Sequence, residues 1–105
     1  MGLAEQRCEA CESGEPLDLE QATALACETP EWTLKPNAIE RTIKFGNFRE
    51  AMAFVNRIAD LAEMQGHHPD LHISYNKVRI ELSTHKIGGL SKNDFILAAK
   101  IDQII

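Results

Sequence analysis

The stretch Glu63-Met64-Gln65-Gly66-His67-His68-Pro69-Asp70, followed by Tyr75-Asn76-Lys77-Val78 and then Ser83-Thr84-His85, gathers three of the chain's four histidines. An imidazole titrates near ~6.5, so at neutral pH each ring is available as acid or as base, and a pair of rings can deliver one proton while removing another. The segment is therefore suited to proton transfer. Glu63 belongs to the same group: it precedes His67 by four positions, in the last turn of a helix, where the negative end of the helix dipole disfavours an ionised carboxylate and favours the imidazolium of a histidine just beyond.

Metal binding is the competing chemistry for these residue types. His67, His68, His72 and His85 could be drawn into a cluster with Cys8 and Cys11. Neighbouring histidines on one backbone seldom reach a single tetrahedral ion without strain, and a closed structural zinc needs four ligands, whereas Cys8-x-x-Cys11 supplies two and Cys27 at best a third. No metal site is expected from these residues. His72 falls on the polar phase of its strand and reads as a surface residue.

The spacing of apolar residues says what must hold these groups. Asn47 to Met64 reads as the strongest helix, capped by Asn47 with Glu50 at the reciprocal position and closed by Gly66. Phe48, Met52, Val55, Ala59 and Ala62 form its expected inner stripe, with Ala51 and Ile58 beside it, which puts Glu63 at the edge of the buried face. Leu71, Ile73 and Tyr75 alternate as one strand, Asn76-Lys77 reverses the chain, and Val78, Ile80 and Leu82 alternate as the next. Strict alternation does not fix the direction of His85. Gly88-Gly89 makes a turn, and Ser91 opens a last helix with Asp94 at the capping-box position and Phe95, Ala98, Ile101 and Ile105 inward.

Before this block, Asp18 and Gln21 form a capping box for a helix whose inner face is Leu19, Ala22, Leu25 and Ala26. Trp32 to Leu34 and Ile39 to Phe45 read as two strands around Lys35-Pro36-Asn37, with Arg41 breaking the apolar phase, either snorkelling at an edge or meeting a carboxylate at an interface. Residues 1–16 read as a polar, loosely ordered arm, and 17–105 as a single domain. The order is helix, two strands, helix, two strands, helix. It predicts an α+β two-layer fold, with a four-stranded antiparallel sheet and three helices on one face.

Glu-x-x-x-His-His-Pro, Tyr-Asn-Lys-Val, Thr-His and Gly-Leu-Ser-x-x-Asp, in this order from about Trp32 to Ile101, resemble the pterin-4a-carbinolamine dehydratases, whose animal members also serve as dimerisation cofactor of a homeodomain factor. The resemblance is to the bacterial type. It implies dehydration of a 4a-hydroxytetrahydropterin to the quinonoid dihydropterin, with the pterin as substrate and no cofactor. It also implies that His67 and His85 act as acid and base, that His68 bonds the pterin or shares the proton transfer, and that Glu63 orients an imidazole or binds the substrate's guanidine-like edge. Pro69, Thr84 and Lys86 would line the pocket and Asp94 would border it. Leu71-His72-Ile73 and Lys86-Ile87 depart from the animal pattern, which weakens the homeodomain role. An aromatic amino acid hydroxylase is the implied partner.

At 105 residues with a net charge of −5, the chain lacks the clustered basic residues that phosphate neutralisation needs, so direct nucleic-acid binding is not expected. No apolar run approaches the roughly 20 residues of a membrane span. The opening Met-Gly-Leu-Ala-Glu-Gln has neither a basic nor a hydrophobic leader region, and the three cysteines are an odd count, so reduced thiols and a cytoplasmic location are expected. A short domain with exposed strand edges is expected to form a homodimer or homotetramer. Two alternatives remain: a catalytically silent interaction or regulatory module of this fold, and a His/Cys metal-binding protein.

Overall fold

The computed structural model describes residues 2–8 and 15–105. Asp18 caps the first helix, α1 (Leu19–Ala26), by accepting from the Gln21 backbone N–H at 2.7 Å, while the Gln21 side chain accepts from the Asp18 N–H. The chain then forms β1 (Thr33–Leu34), β2 (Ile39–Lys44), α2 (Phe48–Gln65), β3 (Asp70–Ser74), β4 (Lys77–Leu82) and α3 (Lys92–Asp102). The four strands pair antiparallel in the order β1-β2-β4-β3, so the expected α+β layering with three helices and one antiparallel sheet is the observed one.

Strand alternation sorts the two faces of the sheet. Ile39, Ile43, Val78, Ile80 and Leu82 are buried under the helices, and Leu71 and Ile73 pair with Ile80 and Val78 at the β3 edge. His72 pairs with Arg79 on the opposite, polar face and is exposed. Arg41 shares the inward phase of Ile39 and Ile43, and its partner lies within the chain: Arg41 Nη1 sits 2.6 Å from Asp102 Oδ1 at the end of α3. The Trp32 indole donates to the same oxygen at 2.9 Å, so one carboxylate ties β2 and the residue before β1 to α3.

Three expectations need correction. The inner stripe of α2 is Ala51, Phe54, Ile58 and Ala62, because Phe54 rather than Phe48 supplies the large side chain that fills the core and stacks at a tilt on Phe45, with centroids 5.0 Å apart. The helix is thereby rotated, Phe48 and Ala59 face outward, and Glu63 is fully on the solvent side. The β3–β4 reversal is Tyr75-Asn76, one residue earlier than expected. Tyr75 takes the positive φ (52°) of a two-residue hairpin, and Asn76 anchors it by donating to the Phe45 carbonyl. Leu19 and Ile105 are exposed at helix and chain ends; Leu19 borders a cavity of about 470 Å³ walled by Leu17, Ala22, Leu34 and Leu90.

The described part of the N-terminal arm is also more ordered than its polarity suggests. Leu3 lies in the hydrophobic core beside α3, and the Lys100 ammonium donates to the Ala4 carbonyl at 2.8 Å. Burial of Leu3 adds to the hydrogen bonds at Ala4 and Cys8 in holding the segment down.

Two substitutions test how the sheet is held to α3. Asp102→Ala leaves both Arg41 and Trp32 without a partner and should lower unfolding stability in urea by about 2 kcal/mol. Lys35→Ala should cost about 0.5 kcal/mol, because the Lys35 ammonium in its 2.8 Å pair with Glu40 is half exposed and Arg79 remains near the same Glu40 oxygen. The hydrogen bond from Lys35, aided by the charges of Lys35 and Arg79, holds the Glu40 carboxyl below its ordinary value of 4.5. The effect of Lys35→Ala should therefore be present above that value and vanish as pH falls through the depressed one.

Candidate active site

His67 is placed by the way α2 ends. Gly66 adopts the left-handed conformation (φ 66°), and the N–H groups of both Gly66 and His67 turn back to the Ala62 carbonyl. Pro69 then stiffens the lead into β3. The His67 ring is directed inward, 12 % exposed, and its Nε2 lies 2.6 Å from Asp94 Oδ1.

Asp94 is placed by the start of α3. Its carboxylate is completely buried, and Oδ2 accepts from the Ser91 backbone N–H and from the Thr84 hydroxyl, both at 2.9 Å. Since Thr84 Oγ1 spends its proton on Asp94, the 2.7 Å contact between Thr84 and Ser91 hydroxyls must be donated by Ser91. The polar chain thus runs from Ser91 to Thr84 to Asp94 to His67. With Asp94 ionised, His67 Nε2 is the donor in this contact, and Nδ1 has no protein partner among the described residues.

Thr84 also positions His85. Its N–H donates to the Gly89 carbonyl at 2.7 Å, and the loop between them closes through a single 3-10 turn, His85–Ile87, ended by Gly88 with φ 70°. A side chain at Gly89 would push Pro16 aside, because a Cβ there would stand 2.8 Å from Pro16 Cβ. The His85 ring is 82 % exposed, with Nε2 3.9 Å from Asp70 Oδ2 at the start of β3. It lines a cavity of about 290 Å³ together with Asn37, Glu81, Ser83 and Gly89. His68 faces solvent and pairs with Glu63 through Nε2 and Oε2 at 2.5 Å.

The structure therefore links His67, Thr84 and Asp94 by direct contact, sets His85 next to Thr84, and brings Asp70 towards His85. Glu63 and His68 form a separate, solvent-facing pair beside His67. Pro69 is half-buried, and Lys86 is exposed in the turn after His85. The Thr84 side chain is turned into the hydrogen-bonded chain instead of facing open space. Sequence reasoning missed Ser91 and Asp70 as members. Ser91 was visible as a cap, and its second role follows only from the fold bringing Thr84 against it. Among the described residues no three His, Cys, Asp or Glu side chains group to hold a metal ion. Cys11 lies outside the described residues.

Residues 15–104 match the profile of the family described as Pterin 4 alpha carbinolamine dehydratase. A relative from Halorhodospira halophila, provisionally named pterin-4-alpha-carbinolamine dehydratase, is 44 % identical over 107 residues, covering 99 % of this chain and 98 % of its own. The crystal structure of a transcriptional coactivator/pterin dehydratase from Brucella melitensis superposes with a TM-score of 0.81 at 29 % identity, over 86 % of this chain and 98 % of that one. A pterin dehydratase-like protein described as a RuBisCO assembly factor of the alpha-carboxysome shares the fold, with a TM-score of 0.58 at 24 % identity, over 70 % of this chain and 84 % of that one. The fold is that of a two-layer α+β domain, and the chain belongs to the pterin-4-alpha-carbinolamine dehydratase family.

The hydroxyl chain has a measurable consequence. Thr84→Val keeps the side chain's volume but removes a donor to Asp94 and strands the Ser91 hydroxyl. Urea denaturation should show a loss of about 1–2 kcal/mol, whereas a valine at the half-exposed Ser83 should have little effect.

Proposed function

We propose that this chain is a lyase that dehydrates a 4a-hydroxytetrahydropterin to the quinonoid dihydropterin. The carbon–oxygen bond at C4a breaks, the departing hydroxyl takes a proton and leaves as water, and a ring N–H gives up its proton as the new double bond forms. No electrons are transferred. The chemistry needs one acid and one base on the same small ring, and membership in the family supplies the substrate class.

The single observation that carries the reading is the buried His67–Asp94 contact. A neutral imidazole whose Nε2–H is held by a carboxylate keeps Nδ1 free as a base, and the carboxylate stabilises the ring once it has taken the proton. His85, beside Thr84 and near Asp70, is the proposed acid that protonates the leaving hydroxyl. His68, with Glu63, is the proposed pterin-binding pair, and Pro69 and Lys86 flank the same opening. The reaction requires no metal and no cofactor.

The outer edge of β3 supports a partner as well. Its outer ladder groups have no strand partner among the described residues, and Ile73 and Tyr75 are exposed beside it, which suits association with a second copy into a dimer or tetramer. An aromatic amino acid hydroxylase, which would generate the carbinolamine, is the proposed source of substrate in the cytoplasm. No helix of the described residues is long and apolar enough to cross a membrane. A silent module using only this edge is the second reading, suggested by the assembly role described for the carboxysome neighbour.

Carbinolamine decay in the presence of purified, EDTA-treated protein separates the two. Wild type should accelerate the loss of water, and His67→Ala and His85→Ala should each lower the rate by about 10²-fold or more. A wild-type rate equal to the uncatalysed background would exclude the enzyme and favour the module.

A further inference from the structure

The family profile begins at residue 15, yet the turn Leu3–Glu5 packs on α3 and Cys8 reaches the C-terminal end of α2, next to the two members of the histidine–aspartate pair. The Cys8 backbone N–H donates to Gln65 Oε1 at 3.0 Å, and Gln65 is the last residue of α2, two positions before His67. The Cys8 thiol lies 3.6 Å from the carbonyl of Asn93, the residue before Asp94. Cys8 thus touches the flank of each member of the pair. The segment is held at its other end by Leu3 in the core and by the Lys100 bond to Ala4.

We propose that the segment Leu3 to Cys8 is a strap that positions His67 against Asp94, with Gln65 as the positioning residue on α2. The inference rests on the proposed role of His67 as proton acceptor. His67 is bonded through its backbone to Ala62, so its ring rides on the end of α2, while Asp94 rides on the first turn of α3. Any tilt between these helix ends changes the 2.6 Å contact directly. A misplacement of about 1 Å at a reacting group is enough to cost a large factor in rate, so a tie across the two ends has a functional consequence out of proportion to its few hydrogen bonds.

The test uses the full chain with Gln65→Leu, which cuts the tie at the surface of α2, and Leu3→Ser, which loosens the strap at its anchor. Arg57→Ala serves as the control. It removes the bond to the Ile104 carbonyl and the contact over the Phe54 ring without touching the strap. Two readouts are taken: the 15N imidazole signature of His67, and kcat and KM for carbinolamine dehydration. Gln65→Leu and Leu3→Ser should convert His67 from a single Nε2–H tautomer to a mixture and lower kcat about ten-fold with KM changed less than two-fold. Arg57→Ala should leave both readouts unchanged. An unaltered His67 signature in folded Gln65→Leu, or the same change in Arg57→Ala, would overturn the strap. Should Leu3→Ser not fold, Gln65→Leu decides alone. A wild type without dehydratase activity would count against the proposed function, and the imidazole signature would still judge the strap.

Discussion

A carboxylate with no exposure to solvent is tolerated only when donors surround it, and the local structure around Asp94 is arranged to supply them. The N-cap of α3 provides the Ser91 N–H, the second residue beyond β4 provides the Thr84 hydroxyl, and the residue after the glycine end of α2 provides His67. Breaking any one contact leaves a charge buried with fewer partners, and such a deficit costs more than the lost bond itself. The packing of α2 and α3 on the sheet and the placement of His67 are therefore one problem with one solution.

That arrangement also separates the histidines into different environments. His67 is nearly enclosed and tied to a buried acid, His68 is exposed and tied to an exposed one, and His85 sits in a short 3-10 turn with its ring exposed beside Asp70. Three rings of identical chemistry are thus given unequal surroundings. An elimination that needs one group to donate and another to accept is served better by unequal groups than by equal ones.

Much of this was legible in the residues, and the failures have identifiable causes. Asp18 with Gln21, Asn47 before α2 and Ser91 with Asp94 announced the helix starts because caps are local and need no knowledge of the fold. The strands of the sheet followed from alternation. The stripe on α2 was misjudged because Phe48 and Phe54 lie about 120° apart around the helix, and only the tertiary packing of Phe45 against Phe54 decides which of the two faces the core. Glu63 moved to the solvent side with that rotation. Leu3 was hidden as one apolar residue among polar ones, and periodicity cannot register a single anchor. The Ser91–Thr84 contact joins residues on two elements, so no local pattern could have revealed it.

The central claim is that His67, His68 and His85 address one pterin ring. A crystal structure of the protein with a bound dihydropterin measures this most directly. The account predicts His67 Nδ1 and His85 Nε2 within hydrogen-bonding distance of the same ring system, with His67 Nε2 still on Asp94. A pterin seated away from these rings, or a His67 that has left Asp94 to bind it through Nε2, would contradict the account.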